Sequence, residues 1–190
     1  MGSVSVGFAM CGSFCTFKKV VPEIKRLKDG GYDVVPIMSE TAYSTDTRFG
    51  KAKDFIGEIE EICQRKIIHT IPDAEPIGPK KLLDALIIAP CTGNTIAKLA
   101  CGICDTSVTM AAKAHLRNGR PLIIAVSTND GLGLNMKNIG ILSASKNVFL
   151  VPFGQDDAIG KPTSLVADMT KIEATLKAAL SKEQVQPLIK

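Results

Sequence analysis

The stretch Ala85-Leu-Ile-Ile-Ala-Pro-Cys-Thr-Gly-Asn-Thr-Ile-Ala-Lys-Leu-Ala-Cys-Gly102 decides the fold. Its apolar run stops at Pro90, a small-residue loop of Cys91, Thr92, Gly93 and Asn94 follows, and Ile96, Leu99, Ala100 and Ile103 then recur at helical spacing. A buried strand therefore feeds a loop that opens a helix. This geometry presents free backbone N–H groups and the positive helix end to a ligand at the carboxyl edge of a sheet. The same spacing also fits a plain strand-to-helix turn capped by Asn94 or Thr95.

The rest of the chain repeats the alternation. Strands are expected at 4–10, 32–38, around Ile67 and Ile68, at 121–127 and last at 147–151. Helices are expected at 17–30, ended by Gly30-Gly31, and at 51–63 and 107–118. Val166, Met169, Ile172, Leu176 and Leu180 form an apolar stripe assigned to a closing helix. Residues 39–50 and 72–79 read as polar or turn-rich segments. Continuous Val/Ile/Leu runs between helices predict an α/β chain, a flavodoxin-like three-layer sandwich with a parallel sheet covered on both faces. A length of 190 residues, 45% of them hydrophobic, suits a single domain over 1–190 with a full core.

Composition excludes several classes. The formal charge is only +4 and is spread along the chain, aromatic residues make up 5%, and there is no Trp to stack bases, so nucleic acid is not an expected partner. No apolar run reaches the roughly 20 residues of a membrane span, and the start lacks a basic-plus-apolar leader pattern, so a cytoplasmic protein is expected. Six cysteines at 11, 15, 63, 91, 101 and 104 then read as reduced thiols. Cys101 and Cys104 form a lone CxxC, and neither His69 nor His115 stands in a paired ligand motif, so no metal site is expected.

The first loop, Cys11-Gly-Ser-Phe-Cys-Thr16, contains neither a GxGxxG fingerprint nor a P-loop. Gly12 and Ser13 at a strand-to-helix junction suffice for one phosphate, or for a turn alone. Among cations, Arg48 sits in a polar stretch after the second strand and suits a carboxylate, unless it pairs structurally with Asp46 or Glu40. Lys113 and Arg117, spaced i,i+4, read as a solvated helix face. His69 and His115 read as surface or hydrogen-bonded histidines, leaving the catalytic acid or base unassigned.

Gly12-Ser13, Ser39 at the end of the second strand, and above all Ala89-Pro-Cys-Thr-Gly-Asn-Thr-Ile-Ala-Lys-Leu-Ala-Cys-Gly-Ile-Cys-Asp105 resemble the flavoproteins that include phosphopantothenoylcysteine decarboxylases and flavin prenyltransferases. Ser44-Thr-Asp-Thr-Arg-Phe-Gly50, Asp73-Ala-Glu-Pro-Ile-Gly-Pro79, Ala111-Ala-Lys-Ala-His-Leu-Arg-Asn-Gly119, Ala125-Val-Ser-Thr-Asn-Asp-Gly-Leu-Gly-Leu-Asn135 and Val151-Pro-Phe-Gly-Gln-Asp156 resemble, within them, the dipicolinate synthase B-type subunits. The resemblance implies one component of an oxidoreductase in the mother cell of a sporulating bacterium. It would form pyridine-2,6-dicarboxylate from a dihydrodipicolinate-type precursor, with the A-type subunit of dipicolinate synthase as partner and NAD(P) bound by that partner. It further implies FMN, with Gly12, Ser13 and Ser39 at the phosphate and ribityl end, Thr92, Gly93, Asn94 and Thr95 at the ring, and Ser127, Thr128 and Asn129 as a third contact region. Arg48, with the hydroxyls of Thr45 and Thr47, would bind the substrate, and a homo-oligomer built on trimers would place the site at an interface between copies. The other readings are a flavin prenyltransferase or decarboxylase and a non-catalytic binding component. Val126-Ser-Thr-Asn129 in place of the cysteine decarboxylases' Pro-Ala-Met-Asn, and Pro76 where they carry a His, speak against decarboxylation by their mechanism.

Overall fold

The computed structural model describes residues 3–190. Its centre is a parallel sheet of β1 (Ser5–Met10), β2 (Asp33–Met38), β3 (Ala85–Cys91), β4 (Leu122–Thr128) and β5 (Val148–Leu150), ordered β2-β1-β3-β4-β5. All seven residues of β3 are buried, as are the first six of β4, which explains why these strands are apolar on both faces rather than alternating. At Gly7 in β1 a Cβ would stand 2.5 Å from the Leu83 side chain, so the central strand admits a neighbour that any larger residue would displace.

Helices cover both faces, in the three-layer arrangement expected. α1 (Phe17–Asp29), entered through a 3-10 turn at Phe14–Thr16, packs with α3 (Ala52–Cys63) and with the closing helix α8 (Ile172–Leu180). α4 (Ile71–Ala74), α5 (Gly93–Ala100), α6 (Ser107–Leu116) and α7 (Asn135–Ser143) pack among themselves on the other face. The short α2 (Glu40–Ser44) follows β2 directly. α1 ends where Gly31 takes a φ of +85°, a left-handed conformation open to glycine.

Several elements depart from expectation. Residues 67 and 68 form no strand; Ile68 contributes one bridge to Ile37. The apolar stripe at the end divides: Val166 lies in a strand, Met169 in a 3-10 turn, and only Ile172 onward is helical. Residues 39–50 and 72–79 contain the short helices α2 and part of α4. After β5 the chain adds an antiparallel ribbon, β6 (Phe153–Gly154) and β7 (Leu165–Ala167), whose Leu165 and Val166 pair with Thr128 and Ser127 at the end of β4. The ribbon makes a seven-stranded, mostly parallel sheet. It also raises a wall beside the carboxyl edge.

Candidate functional site

A cavity of about 690 Å³ opens at the carboxyl ends of β1, β3 and β4, around the point where the strand order reverses between β1 and β3. Doubly wound sheets bind ligands there, and the volume falls in the range of small-molecule sites. Its walls come from the loop after β1, the turn at 47–50, the start of α5, the end of β4 and the 155–164 loop between β6 and β7.

The floor is a triangle of hydroxyls. Ser13 Oγ lies 2.9 Å from Ser127 Oγ and 3.2 Å from Thr16 Oγ1, and Thr16 Oγ1 lies 3.0 Å from Ser127 Oγ. The exposed thiol of Cys15 stands beside it, 3.7 Å from Thr16 Oγ1. No carboxylate takes part, so the floor offers neutral donors beside the entry to α1, a donor set suited to a phosphate ester.

Next to it α5 begins. Thr92, rather than Asn94 or Thr95, is the cap: its hydroxyl accepts from the Thr95 N–H at 3.4 Å. A Cβ on Gly93 would stand 2.5 Å from Thr128 Oγ1, 2.6 Å from Asn135 Nδ2 and 2.7 Å from Asp130 Oδ1, so only glycine lets the helix start so close. The Asp130 carboxylate accepts from Thr128 Oγ1 at 2.5 Å and from Asn135 Nδ2 at 2.7 Å, while Asn138 donates to Asn135 Oδ1 at 2.9 Å. A negative charge therefore already stands at the positive end of α5. That leaves the first loop as the better of the two places for an anion.

Three cations line the mouth: Lys19 on α1, Arg48 and Lys161. Arg48 and Phe49 form the tip of a turn closed by Thr47 N–H to Gly50 O (3.0 Å) and Gly50 N–H to Thr47 O (3.2 Å). The guanidinium stacks 4.9 Å from the Phe49 ring centroid. Neither suspected acid pairs with it. Asp46 Oδ1 accepts from the Ala52 N–H at 2.8 Å, and Glu40 Oε1 accepts from the Ser107 N–H at 2.9 Å. Asp156, the single carboxylate lining the cavity, accepts from Lys161 Nζ at 3.1 Å. Burial pushes the Asp156 carboxyl up, but hydrogen bonds from Ser164 and Lys161 outweigh it and hold it below the usual range.

The structure thus gathers Gly12, Ser13, Thr92, Gly93, Ser127, Thr128, Asn129 and Arg48 around one cavity and leaves five others out of its lining. The Ser39 hydroxyl caps α2, accepting from the Ala42 N–H at 3.2 Å. Thr47 Oγ1 accepts from the Phe49 N–H at 3.1 Å, and Thr45 is likewise absent from the lining. Asn94 is exposed, and Thr95 donates to the buried Cys11 Sγ at 3.2 Å. Burial also pushes the neighbouring Cys91 thiol well above its ordinary value. Lys113 on α6 and Arg117 at its C-cap are exposed and absent from the cavity lining. His69 stacks on Tyr43, ring centroids 3.7 Å apart, outside the site. His115, expected at the surface or hydrogen-bonded, is buried with Nε2 3.0 Å from Pro121 O. Thr16, Lys19, Asp156 and Lys161 were not singled out by sequence; Thr16 and Asp156 lie within quoted motifs, while the two lysines carry no motif signal. Among the described residues, no group of three or more His, Cys, Asp or Glu gathers as a metal site, and no helix is long and apolar enough to cross a membrane.

Residues 1–181 match the family model described as Flavoprotein. The B-type subunit of dipicolinate synthase from Bacillus subtilis (strain 168) is 45% identical over 184 residues, covering 97% of this chain and 92% of the relative. The crystal structure of its counterpart, the dipicolinate synthase B-type subunit from Bacillus halodurans, superposes with a TM-score of 0.91 at 44% identity, covering all of this chain and 98% of that one. A Burkholderia xenovorans protein crystallised with FMN, described as a cubic protein cage for redox transfer, shares the fold with a TM-score of 0.71 at 18% identity, over 95% and 97% of the two chains.

Proposed function

The chain belongs to the flavoprotein family, and from that premise we propose that it is the B-type subunit of a dipicolinate synthase, an oxidoreductase that binds FMN and forms pyridine-2,6-dicarboxylate from a dihydrodipicolinate-type precursor. The observation that carries this reading is the cavity itself: a neutral hydroxyl floor for a phosphate and an uncharged ring position at Gly93 lie beneath a mouth whose basic side chains outnumber its one carboxylate.

FMN fits these residues. Ser13, Thr16, Ser127 and the backbone at Gly12 would take its phosphate, and Thr92, Gly93 and Thr128 would border its ring. A bound flavin would supply a hydride acceptor for aromatisation of the dihydropyridine. The chain's own groups have lighter work. Arg48, always charged and forked, binds one substrate carboxylate, and the turn carrying it holds that carboxylate at the mouth rather than over the phosphate floor. The rings of Phe14 and Phe49 line the same cavity.

The relative's name, one component of a larger synthase, supports a second, different chain as partner; in this reading that partner binds NAD(P), as the resemblance implies. A homo-oligomer is supported by the outer face of α7 and the loop before it, where Leu132, Leu134, Met136 and Ile141 are exposed, and trimers as its unit are what the resemblance implies. Apolar side chains gathered on an outer face suit a covered surface. In this reading the protein works in the mother-cell cytoplasm of a sporulating bacterium.

The test is an assay of the purified protein with and without its partner on a dihydrodipicolinate-type substrate, following pyridine-2,6-dicarboxylate. Product formed only when this chain is present with flavin supports the proposal. Equal formation by the partner alone refutes it.

A further inference from the structure

The basic residues at the mouth reach it from different directions. Arg48 comes from the turn beyond β2, Lys19 from the first turns of α1, and Lys161 from the loop between β6 and β7, on the far side of β1, β3 and β4 in the sheet order. Countercharge on opposite walls is of little use to a ligand with a single anionic end. It matches one with two separated anionic ends.

The wall that carries Lys161 is built, not loose. Thr163 Oγ1 donates to Asn129 O at 2.6 Å, the Leu132 N–H donates to Thr163 O at 2.9 Å, and Gln155 Nε2 donates to Pro162 O at 2.8 Å. Within it, Asp156 takes one hydrogen of the Lys161 ammonium and leaves two donors. The hydroxyls of the floor carry no charge of their own; a flavin phosphate seated there is the anion that would compete for these donors.

Resting on the reading of the cavity given above, we propose that Lys161, aided by Lys19, binds the second carboxylate of the substrate opposite Arg48, so that the site selects dicarboxylates over monocarboxylates. Asp156 is then a positioning residue. It aims the ammonium without neutralising the mouth, where three cations face one carboxylate.

Calorimetric titration of the full-length protein with pyridine-2,6-dicarboxylate and with pyridine-2-carboxylate tests this without any turnover. The wild type should prefer the diacid. Lys161→Gln should weaken diacid binding roughly five- to twentyfold while leaving the monoacid nearly unchanged, the contact being charge-assisted but partly exposed. Adding Lys19→Gln should erase what preference remains. Lys146→Gln, at the opposite end of the sheet beside β5, should change nothing. A preference unaltered in the double variant overturns the proposal, as does a Lys161→Gln effect confined to the affinity for FMN over riboflavin, which would assign the ammonium to the cofactor phosphate. Equal binding of both acids by the wild type removes the second subsite and leaves the wider reading standing. Binding of neither acid removes both.

Discussion

Ser13 Oγ and Ser127 Oγ stand 2.9 Å apart although 114 residues separate them in the chain. The parallel register of β1, β3 and β4 brings the loop after the first strand against the end of the fourth, and Thr16 closes the triangle. If this triangle holds the flavin phosphate, Ser13→Ala and Ser127→Ala should each weaken FMN binding about three- to tenfold, the value of one hydrogen bond. Riboflavin, which lacks the phosphate, should bind the variants and the wild type alike. Parallel fluorescence titrations with the two flavins provide the check.

Arg48→Ala should lower apparent substrate affinity about ten- to a hundredfold in the assembled enzyme, because a charge-assisted forked contact is lost. Arg48→Lys should restore only part, since an ammonium cannot reproduce the planar fork. Melting temperature should not move, because Asp46 and Glu40 are committed to backbone N–H groups and no acid pairs with Arg48 among the described residues. A drop in melting temperature with an unchanged substrate constant would show a structural role instead.

Gly93→Ala is expected to cost roughly 1–3 kcal/mol, the usual range for overpacking. The added methyl has only Thr128, Asn135 and Asp130 to displace, and all three are tied to one another. Thermal denaturation should show a loss of several degrees together with weaker flavin binding. Ala97→Gly, further along the same helix, controls for helix propensity.

His115 links stability to pH. Burial lowers its pKa to about 4 from an ordinary 6.5, because the imidazolium cannot be solvated where the neutral ring meets Pro121 O. The unfolded chain therefore takes up a proton first as the pH falls. Stability conferred by the neutral ring is complete above about 6.5 and is lost progressively as the pH drops toward 4, by about 3 kcal/mol over that window. Denaturant titrations between pH 7 and 4 should show this slope, and His115→Gln, which keeps a donor near Pro121 O, should flatten it.

The layers of this fold were legible because β1, β3 and β4 are apolar runs and α1 is bounded by Gly30-Gly31. α7 was not, since its buried face mixes the polar Asn135 and Asn138 with Ile139 and Leu142 while the apolar Met136 and Ile141 face outward, which blurs the pattern that marks a surface helix. The ribbon of β6 and β7 has strands of two and three residues, too short to leave a period. The same reasoning divides the site. Gly12, Ser13 and the Thr92-Gly93 loop announce themselves by small polar residues at strand ends, whereas Lys19 and Lys161 are ordinary lysines until the fold sets them at one mouth. Ser39 and Thr95 had the right residue types, but their hydroxyls serve Ala42 and Cys11.

The central claim is that this cavity is a flavin site, and the most direct measurement is titration of the purified, folded protein with FMN, followed by quenching of flavin fluorescence. The account predicts saturable quenching at one flavin per chain, weakened in Ser127→Ala and in Gly93→Ala. Flavin fluorescence that stays unchanged up to millimolar FMN, in protein shown to be folded, would contradict it.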